Sequence, residues 1–350
     1  LYISFFLFSL ISLIYSNNLA LSMIDLTRIF LIISSVFLLR FLRDKYSSVN
    51  LYLVISSFIL FFTLAEILFS IWPYLAKIFF LLFSDTTINI STINLIGIAG
   101  NKNITAASIV LKLPFIFFLI YKKRFITISY LTIFFSLISI LLIASRASYI
   151  SILLIFILTS VFFLFKRYYF SLLIILAIIF LAYIITNIWI PLSGPNFLSQ
   201  IQSIAFNEQS SNWRFELWQN CLDYFISNPI IGPGIGNWKI ESLPYWKFLL
   251  NGYTVPYHAH NDFFQYFVEV GLFGGFLFLS YFISMFFTLF KNLFTKSKNV
   301  FIVSFFSLLS VFSLFIDTSL NFPHERYIIQ VSTILLIFII NIIHSDEKCI

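Results

Sequence analysis

His260 opens the string His260-Asn261-Asp262-Phe263-Phe264-Gln265-Tyr266-Phe267-Val268-Glu269-Val270-Gly271-Leu272-Phe273-Gly274, where the longest polar loop of the chain runs into an apolar stretch. A titratable ring at a lipid–water boundary is costly to place, and ionisable groups at that depth are expected to mark a reaction site or a pathway. Asp262, Gln265 and Glu269 follow at three- and four-residue steps, which predicts a polar stripe on one rising helix. Two other imidazoles compete with His260. His258 is read as the looser of the pair in the loop. His324, in Asn321-Phe322-Pro323-His324-Glu325-Arg326, is read as a secondary contact or a turn residue.

Two arginines could hold an anion. Residues 212–225 read as a short amphipathic helix, with Trp218, Cys221, Leu222 and Phe225 as its apolar stripe. Ser210, Ser211 and Asn212 are its candidate N-caps. Arg214 would then lie in the first turn, where a cation opposes the helix dipole. It either clamps a phosphate beside the free helix N–H groups or pairs with Glu216 and snorkels. Arg146, in Ala144-Ser145-Arg146-Ala147-Ser148, joins two apolar runs with almost no loop, so it either meets an anionic partner or reaches lipid headgroups. Lys112 lies inside an apolar run and could face a polar cavity. Gly232-Pro233-Gly234-Ile235-Gly236 lacks the Lys-Ser/Thr of a nucleotide loop and is read as a backbone turn. No His, Cys or carboxylate cluster has metal-ligand spacing.

The elements that must position these groups are transmembrane helices. Of 350 residues 60% are apolar, 21% aromatic and only 10% charged, against about 25% charged in a soluble domain. Mean hydropathy is +1.00. The expected fold is all-α and polytopic, because helices satisfy their own backbone groups in lipid and the alternating strands of a barrel are absent. Ten spans are predicted: Leu1–Tyr15, Arg28–Leu42, Leu51–Trp72, Ile104–Ile120, Phe125–Ala144, Ala147–Phe165, Tyr168–Ile190, Phe263–Phe290, Val300–Phe315 and Tyr327–Ile343. Residues 71–83 are either an interfacial helix or an extension of the third span. Leu1–Tyr15 lacks a basic leader and a cleavage site, and is read as a span. The organisation is then N-terminal helices over 1–190, one large outer loop with short helices over 191–262, and C-terminal helices over 263–350, in a single membrane domain.

Basic residues fix the orientation. Arg40, Arg43 and Lys45, then Lys122, Lys123 and Arg124, then Lys166 and Arg167, then Lys291, Lys296 and Lys298, and finally Lys348 all fall on one side if the spans alternate. That side is assigned to the cytoplasm. Asn101, Asn103, Arg146, Arg214, His258, His260 and His324 all fall on the opposite side. Cys221 and Cys349 are separated by the membrane, so no disulfide is expected between them. The net charge of +7 is spread over short loops and forms no basic face, which excludes a nucleic-acid partner.

The chain resembles the O-antigen ligase and polymerase superfamily of bacterial envelope glycosyltransferases over 97–326. The resemblance is carried by His260-Asn261 with the trailing Gly271-Leu272-Phe273-Gly274, by Gly100-Asn101-Lys102-Asn103, by Ser145-Arg146-Ala147, and by Trp213-Arg214 through Trp218 followed by Asn228-Pro229-Ile230-Ile231-Gly232-Pro233-Gly234. It implies a multi-pass protein of the bacterial inner membrane with its active site facing the periplasm. It also implies metal-independent, inverting transfer from an undecaprenyl-diphosphate-linked glycan, with no cofactor. Arg146 and Arg214 would hold the diphosphate, and His260 would take up or orient the acceptor hydroxyl. Asn101, Asn103, Asn261, His258 and His324 would contact substrate, and Trp213 and Trp218 would wall the lipid tail. The acceptor could be lipid A core, a second glycan repeat, or a protein serine or threonine. A lipid or sugar transporter is the reading from another class, disfavoured because no repeat is evident and the polar groups gather at one face.

Overall fold

The computed structural model describes residues 1–41, 48–83, 96–189, 209–246 and 257–348. The helices in chain order are α1 (Tyr2–Ile11), continued by a 3-10 turn (Ser12–Tyr15), α2 (Leu19–Arg40), α3 (Ser48–Phe83), α4 (Lys102–Tyr121), α5 (Ile126–Ile143), α6 (Arg146–Phe165) and α7 (Tyr169–Ile184), which passes into a π turn (Ile185–Trp189). The polar stretch adds α8 (Gln209–Ser227), α9 (Trp238–Glu241) and α10 (Leu243–Trp246), and the chain ends with α11 (Asp262–Asn292), α12 (Lys298–Leu320) and α13 (Tyr327–Lys348). Among the described residues there is no strand. Among the described residues eight helices are long and apolar enough, by length and composition, to cross a membrane, and two shorter apolar helices, Tyr2–Tyr15 and Tyr327–Ile343, lie where the first and last spans were expected. Residues 71–83 extend α3 without a break. Cys221 is a free thiol; Cys349 lies outside the described residues.

The chain divides into two compact units. One comprises Leu1–Lys45, Phe206–Lys291 and Asp317–Ile340, and the other Tyr46–Ala205, Asn292–Ile316 and Asn341–Ile350. In the second unit α4 is the central helix, buried from Ile104 to Tyr121. Asn101 caps it: its Oδ1 accepts the N–H groups of Asn103 (2.9 Å) and Ile104 (3.4 Å), satisfying two of the donors that a helix start leaves open. Lys112 faces no open polar cavity. It is fully buried, pairs with Glu66 of α3, donates to the Ser108 hydroxyl at 2.7 Å and sits over the Phe62 ring. A buried ammonium needs such a counter-charge. Arg146 is the first residue of α6 in this same unit.

In the first unit the structure corrects the expected continuous span over 263–290. Phe263 packs against Phe278 at 5.5 Å and Phe282 at 5.2 Å between ring centroids. A straight helix would hold those rings roughly 22 and 28 Å away along its axis. The chain therefore reverses, at Gly271, whose φ of 71° and ψ of −174° are not helical. Residues 262–270 form a short helix folded back along 272–292. A β-carbon at Gly271 would lie 2.1 Å from the Ile230 carbonyl oxygen, and one at Gly232 would lie 2.0 Å from that of Val268. Only glycine permits both the backbone angles and the contact. The reversal opens backbone groups that lipid could not satisfy, and the loop after α8 satisfies them. Leu272 N–H donates to the Pro229 carbonyl at 2.9 Å, and Gly234 N–H to that of Glu269 at 3.0 Å.

The expected polar stripe is wholly internal. Asp262, Gln265 and Glu269 are all buried. The Glu269 carboxylate accepts the N–H groups of Gly236 (2.8 Å) and Trp238 (3.3 Å) and the Gln265 amide (3.1 Å). The glycine-rich turn is also the socket for the turn between α1 and α2. Asn17 N–H reaches the Pro233 carbonyl at 3.0 Å, Asn18 N–H the Asn237 side chain at 2.8 Å, and the Ser22 hydroxyl the Ile235 carbonyl at 2.6 Å. The stretch 232–236 is thus a backbone turn, as expected from its sequence, and its partner is the chain's own first hairpin.

Candidate active site

His260 stands at the mouth of the reversed helix, and its backbone is held on both sides. The residue before it, Ala259, is fully buried in a small core with Cys221, Trp238 and Val268. Ala259 N–H donates to Gln265 Oε1 at 3.3 Å, and its carbonyl accepts Trp218 Nε1–H at 3.1 Å. The residue after it, Asn261, caps the short helix by accepting the Phe264 N–H at 3.1 Å. Between these anchors His260 is forced into the left-handed region, with φ of 51°. For a residue with a β-carbon that costs about 1–2 kcal/mol. Such strain persists where the surroundings over-determine it, and it gathers at functional sites.

The ring itself is bound by edges only. Trp213 meets it at 5.6 Å and Phe322 at 4.9 Å, both edge to face. Its Nδ1 is buried and has no hydrogen-bond partner among the described residues. Burial, then the positive charges of Arg214, His258 and Arg326, push its pKa down from 6.5 to about 4. At neutral pH the imidazole is therefore uncharged and its lone pair is available to a proton.

His258 is anchored rather than loose. It stacks on Phe322 at 4.3 Å, and its Nδ1 lies 3.1 Å from Glu325 Oε1. Glu325 is the hub of a charged network. Lys239 Nζ lies 3.1 Å from its Oε2 and Arg28 Nη1 3.4 Å, Gln265 donates to its Oε1 at 3.4 Å, and Arg28 and Lys239 also face Asp25 of α2. Burial alone would raise the Glu325 carboxyl, but His258, Lys239 and Arg28 outweigh it and bring its pKa down to about 2. It stays ionised across the physiological range and ties α2, α9 and the His258–His260 segment together. His324 is neither solvated nor a bare turn residue. It is buried, its Nδ1 lies 2.9 Å from Asp262 Oδ2, and its N–H donates to the same oxygen at 3.2 Å.

The remaining expected residues fall out as follows. Arg214 belongs to the same unit as His260 and acts on it electrostatically. Because α8 begins at Gln209, Arg214 stands in its second turn, and the argument from free first-turn amides does not carry over. Trp218 packs on Phe264 and its indole N–H holds the Ala259 carbonyl. Asn101, Asn103 and Arg146 belong to the other unit. Arg326 was not expected. Its guanidinium lies 4.7 Å over the Phe322 ring, and the only sequence signal was its place two residues after His324. Among the described residues no three His, Cys, Asp or Glu side chains gather as a metal-binding set.

No curated protein and no solved structure matched the chain. The family model described as O-antigen ligase matches residues 131–279. That stretch begins in α5, contains Arg146, Arg214 and His260, and ends beyond the reversal at Gly271. Over that stretch the chain is similar to the O-antigen ligase family, which supports ligase- or polymerase-type glycosyl transfer in general, and its apolar helices support a multi-pass membrane protein.

Proposed function

We propose that the protein transfers a glycan from an undecaprenyl-diphosphate carrier to an acceptor hydroxyl at the periplasmic face of the bacterial inner membrane, as a ligase onto lipid A core or as a polymerase onto another repeat. The single observation that carries this reading is His260: strained, pinned on both sides, and kept uncharged first by burial and then by the charges of Arg214 and Arg326. An uncharged imidazole can accept the proton of the attacking hydroxyl as the oxygen bonds to the anomeric carbon and the carrier diphosphate departs. Attack on the face opposite the leaving group inverts the anomeric centre. The leaving diphosphate gains charge in the transition state, and Arg214 would stabilise that charge. Arg146 keeps an anion-holding role on the resemblance alone. A protein serine or threonine acceptor is the second reading; the same donor chemistry serves it.

The cations that depress His260 also give the site a built-in order. A bound diphosphate offsets their charge, so the imidazole becomes more basic once the donor is present. The acid limb of kcat/KM, which reports the free enzyme, should fall with an apparent pKa near 4. The acid limb of kcat, which reports the bound state, should lie at higher pH. A kcat/KM limb at the ordinary imidazole value near 6.5 would remove His260 as the group responsible.

The general test is transfer in proteoliposomes supplied with a polyprenyl-diphosphate glycan. Product should form at an undiminished rate in excess EDTA, and its chemical identity gives the acceptor. Loss of activity in EDTA with recovery on adding a divalent ion would overturn the metal-free mechanism.

A further inference from the structure

The wall of the site around Phe322 holds a group that the sequence did not single out. Phe322 is buried, and three side chains share its ring: His258 stacked at 4.3 Å, His260 edge-on at 4.9 Å, and the Arg326 guanidinium at 4.7 Å. Aromatic stacking holds Arg326 in place without neutralising it. Its Nε is buried with no hydrogen-bond partner, and it makes no ion pair among the described residues. The adjacent carboxylate, Glu325, acts on Arg326 electrostatically but makes its close contacts with Arg28, Lys239 and His258. A buried guanidinium donor left unsatisfied costs about 1–3 kcal/mol, a cost that an oxyanion docked on the fork would offset.

We infer that Arg326, held on the face of Phe322 beside His260, is a direct ligand of the carrier diphosphate and the second guanidinium, with Arg214, of one oxyanion site. The inference rests on the proposed function and deepens it by naming a donor-binding residue. Arg214 and Arg326 belong to one compact unit, and both charges act on the His260 ring. Two guanidinium forks around one imidazole suit a diphosphate, which offers enough oxygens for both, better than a single carboxylate. The same chemistry could be satisfied by the phosphate of a bulk anionic lipid; the assignment here is to the carrier.

The test is binding of farnesyl diphosphate and of farnesol to the full chain in phosphatidylcholine nanodiscs. Wild-type protein should bind the diphosphate and discriminate against the alcohol. Arg326→Gln keeps a planar group over Phe322 and removes the charge, and it should weaken farnesyl diphosphate binding by about ten- to a hundredfold with farnesol unchanged. Arg326→Lys keeps the charge without the fork and should fall between. Arg214→Ala separates the two ideas. If it weakens binding while both Arg326 variants bind like wild type, the inference fails and the diphosphate reading stands. If wild-type protein does not prefer the diphosphate to the alcohol, both fail. Repeating the series in phosphatidylglycerol nanodiscs distinguishes the anion source: an unchanged Arg326 effect supports the carrier, and its disappearance assigns Arg326 to bulk headgroups and overturns the proposal. Thermal unfolding of each variant guards the comparison, and if Arg326→Gln fails to fold, the Arg326→Lys result alone decides.

Discussion

His260→Ala should leave glycan transfer at background, a loss of at least about 10²–10⁴-fold, the range a positioned general base supplies. The variant should still fold and insert. Among the described residues the His260 ring makes two edge contacts, to Trp213 and Phe322, and its backbone is held by bonds of Ala259 and Asn261 that alanine does not touch. Transfer in proteoliposomes and thermal stability in detergent are the two readouts. His258→Ala is the useful comparison, since it removes the stack on Phe322 and the contact with Glu325 while leaving His260 in the chain. Near-normal transfer by His260→Ala, or an equal loss in both variants, would falsify the assignment of the base to position 260.

Gly271→Ala should be among the most damaging glycine substitutions of the described residues. The added β-carbon would lie 2.1 Å from the Ile230 carbonyl oxygen and 2.7 Å from its carbon. Those atoms belong to backbone and cannot rotate aside. The φ of 71° with ψ of −174° lies in a region that only glycine occupies readily, and adds about 1–3 kcal/mol. Together with overpacking of similar size, the expected destabilisation is about 3 kcal/mol or more. Because Leu272 and Gly234 bond across the same junction, the glycine-rich loop should come loose, and transfer should be lost with stability. Gly100→Ala supplies the control. Its φ is 68°, but nothing lies within 4 Å of the new carbon, so only the backbone strain remains. Equal melting temperatures for Gly271→Ala and wild type would show that 262–270 does not fold back on 272–292.

Much of the helical framework was legible because the bilayer leaves little choice. A run of apolar residues long enough to cross lipid must satisfy its own backbone, and the breaks between runs are marked by Lys, Arg, Pro and Gly. The extension of α3 through 71–83 was left open in the sequence, because an apolar run with Lys77 inside it suits an interfacial helix as well as a longer span. The reversal at Gly271 was missed for a related reason. Two apolar helices packed back to back and one continuous span carry the same hydrophobic residues, and Gly271 reads equally as a helix glycine or a turn. The residues Asp262, Gln265 and Glu269 showed the right spacing for a polar stripe. The spacing could not say that the stripe faces a loop built from 228–238 rather than a substrate.

The sequence by itself determined the fold class, most of the helical segments and the string that holds His260, since each follows from local composition or from a motif contiguous in the chain; the start of α2 at Leu19, ahead of the expected Arg28, and the reversal inside α11 did not follow from it. Only the tertiary structure decided that Glu269 anchors the glycine-rich turn, that Glu325 binds Arg28, Lys239 and His258, and that Arg326 shares Phe322 with His260. A carboxylate or guanidinium in a sequence has many partners of suitable charge. Which one it meets depends on how helices distant along the chain pack, and that is fixed by backbone reversals and close contacts that leave no periodic trace.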